Sequence, residues 1–218
     1  AAPVIAIDGP SASGKGTVAQ RVADALGFHF LDSGALYRLT ALAAMKAGVA
    51  LEDEAGVAAL AGQLPADFAG DRILLSGEDV TEAIRGEGVG VNASKVAALP
   101  AVRAALLDRQ RAYRRFPGLV ADGRDMGSVV FPEAAVKVFL TASAEARAER
   151  RHKQLIAKGM PANMHALLQD LQERDARDAR RSVAPLRQSD DAELVDTTEM
   201  GIEAAVAAVM TIVSRQPL

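Results

Sequence analysis

The stretch Ile7-Asp8-Gly9-Pro10-Ser11-Ala12-Ser13-Gly14-Lys15-Gly16-Thr17 constrains this chain more than any other. Gly9 is followed after four residues by Gly14-Lys15, the spacing of a phosphate-binding loop. Ser or Thr ordinarily comes directly after the lysine; here Gly16 does, and the hydroxyl arrives one residue later at Thr17. The flanks supply the context such a loop needs. Val4-Ile5-Ala6-Ile7 is an apolar run suited to a strand buried on both faces, and Asp8-Gly9-Pro10 signals a turn. From Thr17, the residues Val18, Val22 and Leu26 recur at helical spacing as far as Gly27, so a helix begins inside the motif. Glycines let backbone N–H groups converge on phosphate oxygens, the helix N-terminus adds its positive end, and Lys15 is a mobile cation for the β- and γ-phosphates. An ordinary Gly/Ser-rich turn is the bland alternative, and it does not require a strand and a helix on either side. The loop binds a nucleotide.

Strand and helix patterns alternate along the rest of the chain. Residues 28–31 read as a second strand, and Asp32-Ser33-Gly34 opens a helix with Leu36, Leu39, Leu42 and Ala43 on one face. Phe68 and Ile73-Leu74-Leu75, broken at Gly70-Asp71, predict a small hairpin. Residues 119–121 and 136–140 are two more core strands, with helices over 144–157 and 165–181, a short strand at 193–195 and a last helix over 201–214. This is an α/β pattern of the P-loop NTPase type: a parallel sheet with helices on both faces. Residues 1–32 and 117–218 are expected to form the core domain, with a lid at about 150–164, and 33–116 an inserted substrate-binding segment.

Composition narrows the partners. Half of the 218 residues are apolar, enough for one core and a modest insertion. A net charge of −3 gives no general basic surface, so neither nucleic acid nor membrane is an expected partner. The absence of cysteine excludes disulfides, thiol catalysis and cysteine metal sites and fits a cytoplasmic location. No apolar stretch has the length of a membrane span, and Ala1-Ala2-Pro3 lacks the basic stretch of a secretory leader, so none is expected.

Arginines are clustered. Arg147, Arg150 and Arg151 share one predicted helix, and Arg174, Arg177, Arg180 and Arg181 the next; Arg174, Arg177 and Arg181 fall at i, i+3 and i+7. Alone, such runs are usually solvated, salt-bridged faces. With a phosphate loop in a net-acidic chain, they read as a clamp on transferring phosphates. Gly159-Met160-Pro161 between the helices would form an exposed, mobile lid tip. In Val120-Ala121-Asp122-Gly123-Arg124-Asp125-Met126-Gly127, a strand ends in Asp122, a candidate to organise magnesium or, more simply, a turn cap. Arg124 and Asp125 follow beyond the carboxyl end of that strand, where open parallel sheets bind ligands. His29, His152 and His165 are isolated, and Ser11 and Ser13 lack a His/Asp constellation. These residues together indicate phosphoryl transfer to a small anionic acceptor. A nucleotide switch would want a switch motif, and an ATPase acting on nucleic acid a basic surface.

Gly14-Lys15-Gly16-Thr17, Asp32-Ser33-Gly34-Ala35-Leu36-Tyr37-Arg38, Ala121–Gly127 and Arg174-Asp175 with Ser182-Val183-Ala184-Pro185-Leu186 resemble the bacterial cytidylate kinases, over nearly the whole chain. The resemblance implies transfer of the ATP γ-phosphoryl group to CMP or dCMP with Mg2+, in pyrimidine nucleotide metabolism; a monomer is expected. It implies an ATP loop of Gly9, Pro10, Ser11, Ala12, Ser13, Gly14, Lys15, Gly16 and Thr17. Arg38 and Arg124 would hold the acceptor phosphate, with Ser33 and Tyr37 lining that pocket. Ser94, Arg103 and Asp125 would surround cytosine. Arg174 and Asp178 would contact the ribose, with Arg181 between sugar and phosphates. Lys15, Arg124, Arg150, Arg151 and Arg181 would be the catalytic cations, and Thr17 and, through water, Asp122 would serve the metal. Cytosine rests on the resemblance alone; a monophosphate kinase of other base preference is the nearest alternative.

Overall fold

A computed structural model describes residues 1–218. The chain forms two compact units, Ala1–Leu31 with Tyr113–Leu218, and Asp32–Ala112. The first is built on a five-stranded sheet in the order β2-β6-β1-β7-β8. Its strands are β1 (Val4–Asp8), β2 (His29–Asp32), β6 (Leu119–Gly123), β7 (Val136–Thr141) and β8 (Glu193–Asp196). β1 runs parallel to both β6 and β7, and β7 to β8. All five residues of β1 are buried, which is why it reads as an unbroken apolar run and not an alternating one.

Alternate β1 side chains serve opposite faces. Ile5 and Ile7 join a core with Val18 and Val22 of α1 (Lys15–Leu26) and Val209 and Ile212 of α8 (Ile202–Ser214). Ala6 points the other way, where its methyl lies 3.5 Å from the place a Cβ on Gly127 would take. Two small residues therefore let the π-helical turn Met126–Val130 lie flat against the sheet. Helices α6 (Ala144–Ala157) and α7 (Met164–Ala179) pair through Ala148, Leu155, Leu167 and Leu171. Because α7 ends at Ala179, Arg181 lies beyond the helix, and the expected single face of Arg174, Arg177 and Arg181 is corrected accordingly.

The second unit holds α2 (Ser33–Ala47), α3 (Glu54–Gly62), α4 (Glu87–Val96) and α5 (Pro100–Arg111), with α2 against α4 and α3 against α5. The expected hairpin is β3 (Ala66–Ala69) and β4 (Arg72–Leu75), and a third antiparallel strand, β5 (Glu78–Asp79), extends it. Ser76 and Gly77 join β4 to β5, both at positive φ, as a tight two-residue turn requires. On α2 it is Ala44, not Ala43, that is fully buried beside Leu36, Leu39 and Leu42.

Candidate active site

The loop after β1 is held from behind. A Cβ on Gly9 would lie 1.9 Å from the Leu140 carbonyl oxygen, so only glycine lets the chain turn against β7 here. Gly9 N–H donates to the Gly123 carbonyl at 3.2 Å, fixing the loop to the end of β6. Gly9, Pro10, Ser11 and Ser13 are buried, and the Ser11 and Ser13 hydroxyls have no hydrogen-bond partner. Buried polar groups are normally satisfied, so these hydroxyls, with the backbone amides at the start of α1, suit an anion.

β6 runs beside β1 in a register that sets Asp122 opposite Ile7. The Asp122 carboxylate is buried and sits 3.4 Å from Lys15 Nζ. A Cβ on Gly16 would come within 3.3 Å of its Oδ2. The missing hydroxyl after the lysine thus has a steric counterpart: a side chain at position 16 would crowd Asp122. Thr17, one place on, is exposed. A magnesium ion fits this setting as one carried by phosphates. The chain has no cluster of three or more His, Cys, Asp or Glu side chains to cage it, whereas one buried carboxylate beside the loop is the donor set such an ion uses.

Asp8 was not among the expected site residues. It closes β1, is buried, and accepts from Met126 N–H at 2.8 Å and Gly127 N–H at 2.9 Å. Burial pushes its pKa up to about 7 against the lowering effect of those two bonds, with the Asp125 and Asp122 charges adding to the rise. The two bonds tie the loop strand to the turn that follows Asp125, itself buried. An acidic residue inside an apolar strand end was the one signal available.

Two predicted arginines meet at Asp178. Arg124 Nε donates to its Oδ2 at 2.5 Å, and Arg181 Nη1 lies 3.5 Å from its Oδ1. Burial would lower the Arg124 pKa, but attraction to Asp178 and the hydrogen bond donated to it, with the charges of Asp122 and Asp175, raise it above the ordinary value. Arg181 also donates to the Ala184 carbonyl at 2.7 and 3.1 Å. Arg174, half-buried, stands one turn before Asp178 on α7. Arg150 is turned onto the β8–α8 connection, donating to the Thr197 carbonyl and, at 3.3 Å, to that of Met200. Arg151 reaches Gln154 Oε1 at 3.4 Å. Arg147, expected with Arg150 and Arg151 in the phosphate clamp, is instead buried and donates to the Ser11 carbonyl of the loop at 3.1 Å.

In the second unit, Asp32 caps α2 by accepting from Ala35 N–H at 3.0 Å, which starts the helix at Ser33. Ser33 and Tyr37 are buried, as is Ser94 on α4. Arg38 Nη1 donates to the Ile84 carbonyl at 2.6 Å, and a Cβ on Gly90 would stand 2.9 Å from its other terminal nitrogen. Arg103 is buried, donates to the Ala97 carbonyl at 2.9 Å and stacks 5.2 Å from the centre of the Tyr37 ring.

The family model described as cytidylate kinase matches residues 5–215. The chain is 62% identical over 208 residues to a cytidylate kinase of Chromobacterium violaceum, covering 95% of this chain and 94% of that one. It is 58% identical over 222 aligned positions to a cytidylate kinase of Pseudomonas aeruginosa, covering 99% and 97%. A solved structure of an uncharacterized protein from Eubacterium ventriosum shares the fold at a TM-score of 0.50 and 12% identity, over 96% of both chains.

Proposed function

The chain belongs to the cytidylate kinase family, and on that premise we propose how its residues divide the reaction. The reaction is transfer of the γ-phosphoryl group of ATP to CMP or dCMP, yielding CDP or dCDP and ADP. The acceptor phosphate oxygen is already anionic near neutral pH, so no strong general base is needed. The protein's task is position and charge. Lys15 and the amides of residues 9–17 hold the donor phosphates. The observation that carries this assignment is the buried Asp122 carboxylate 3.4 Å from Lys15 at the loop.

Arg38 and Arg124 take the acceptor phosphate, with Ser33 and Tyr37 beside it, and Arg174 and Asp178 take the ribose. Arg181, with Arg150 and Arg151 from the lid at 150–164, neutralises charge that develops between the phosphates. Arg124 is held by Asp178 in this structure, so acceptor binding includes exchange of that carboxylate for a phosphate, a bidentate match for a guanidinium. Asp122, through water, and Thr17 are the residues that would hold magnesium, which would supply positive charge to offset that of the phosphates. The lid's exposed tip around Gly159 suits a segment that closes over substrates and excludes water. The cytoplasm, which holds free nucleotide pools, is the proposed location.

For base choice, Ser94, Arg103 and Asp125 face cytosine. Asp125 accepts from the 4-amino group and Arg103 donates to N3 or O2. Uracil reverses both, and the burial of Asp125 and Arg103 leaves each mismatch unscreened, at about 1–3 kcal/mol apiece. Coupled ADP release with CMP, dCMP, UMP, AMP and GMP tests the reading. Release should require an acceptor and be strong only with CMP and dCMP; acceptor-independent release, or equal rates with UMP, would overturn it.

A further inference from the structure

Ala12 sits inside the loop at φ 56°, a left-handed conformation that costs a residue with a Cβ and that glycine adopts freely. Two features of α6 and α7 hold it there. The Ala12 methyl packs on the cluster of Ala148, Leu155, Leu167 and Leu171. Directly before it, the Ser11 carbonyl accepts from Arg147 Nη1 at 3.1 Å.

Arg147 is 3% exposed, and its guanidinium spends its donors on three elements. Nε donates to the Ala142 carbonyl at 3.0 Å, Nη1 to Ser11 and at 3.0 Å to Asp175 Oδ1, and Nη2 to Asp175 Oδ2. The fork thus joins the end of β7, the phosphate loop and α7 in one group. A lysine would keep the charge but could not span the same partners from a single nitrogen.

We propose that Arg147 is a positioning residue for the ATP loop: with the Ala12 methyl as its apolar counterpart, it holds residues 11–12 against the α6–α7 pair so that the loop is preformed for the phosphates. A loop formed in advance pays less ordering entropy on binding. The inference rests on the assignment of residues 9–17 to ATP. The acceptor side should be spared, because α7 has a second tether in Arg124–Asp178.

The test compares R147K, R147M and A12G with wild type, and K15A as a control, by steady-state kinetics and ADP titration calorimetry at matched folding, judged by thermal unfolding. R147K should raise KM for ATP and Kd for ADP about tenfold, R147M more, and A12G a few-fold, with KM for CMP within about twofold of wild type. A role confined to fold stability would lower the unfolding temperature and the active fraction, leaving KM for ATP unchanged; that result overturns the proposal. If R147M fails to fold, R147K and A12G decide. An unimpaired K15A would remove the assignment of the loop and the inference with it, whereas impaired K15A beside unshifted R147K and A12G would remove the inference alone.

Discussion

On the proposed assignment, the phosphate loop of the first unit and the side chains of the second solve one problem, holding a nucleotide, by different means. In the loop the holding groups are mostly backbone: consecutive amides, aimed by a fully buried strand and by a glycine that nothing else could replace beside Leu140. In Asp32–Ala112 they are side chains from three helices: Ser33, Tyr37 and Arg38 on α2, Ser94 on α4 and Arg103 on α5. There the aim comes from distant carbonyls, Ile84 for Arg38 and Ala97 for Arg103. A backbone site is contiguous in sequence and tolerates change in most of its side chains. A side-chain site is scattered and depends on the shape of each head group.

The largest expected effect breaks the loop at its one charged side chain. K15A removes a cation proposed to serve the ligand, so it should fold normally and lose turnover by about three orders of magnitude. Near-normal turnover in a folded K15A would mean that the amides suffice and that Lys15 has another role. Next comes base selection. Wild-type preference for CMP over UMP should be on the order of 10³-fold in kcat/KM, and D125A should shrink it by lowering activity with CMP far more than with UMP. A ratio that survives the substitution would take Asp125 out of base reading.

A smaller effect sharpens the contrast between backbone and side-chain sites. R38K keeps the charge and loses the fork, so activity should fall about a hundredfold, chiefly through KM for CMP. Full activity in R38K would show that the second unit reads net charge only, and the distinction of shape would fail there.

The same contrast explains what could be read from the sequence. β1, the loop and α1 were legible because periodicity and turn residues are local. So were the strands of the sheet, the hairpin and the helices α6 and α7. The strand Glu78–Asp79 was not, because two acidic residues carry no apolar alternation, and it forms only because β4 offers its edge. The π-helical turn Met126–Val130 depends on room made by Ala6 and Gly127. Arg181 read as helical because i+7 spacing is blind to where a helix stops. Asp8 escaped, and Arg147 was read only as part of an arginine clamp, because their partners, the amides of 126 and 127 and the carbonyls of 11 and 142, are backbone groups brought near by the fold. The residues proposed for cytosine carried no local signal and came through family resemblance.

The smallest expected effect compares one carboxylate from each unit. Asp79 is exposed and accepts from the Thr81 hydroxyl and N–H; those bonds hold it below the usual range. Asp8 also accepts two bonds, but burial outweighs them and its pKa rises to about 7. The consequences for stability have opposite sign. With Asp79 lowered in the folded chain, its contribution is present above the unfolded value of 3.8 and fades as pH falls through the folded one. With Asp8 raised, the folded chain binds the extra proton between 3.8 and about 7, so its contribution is full below 3.8 and is lost as pH rises through about 7. For Asp8 the slope is at most ~1.4 kcal/mol per pH unit. Denaturant unfolding of wild type and D8N from pH 5 to 8 should therefore show wild type losing ground to D8N as pH rises, with the difference becoming constant above about 7. D79N should track wild type throughout that range. Parallel curves for wild type and D8N would mean that the two backbone bonds, and not burial, govern Asp8, and that the loop strand carries no stored charge penalty.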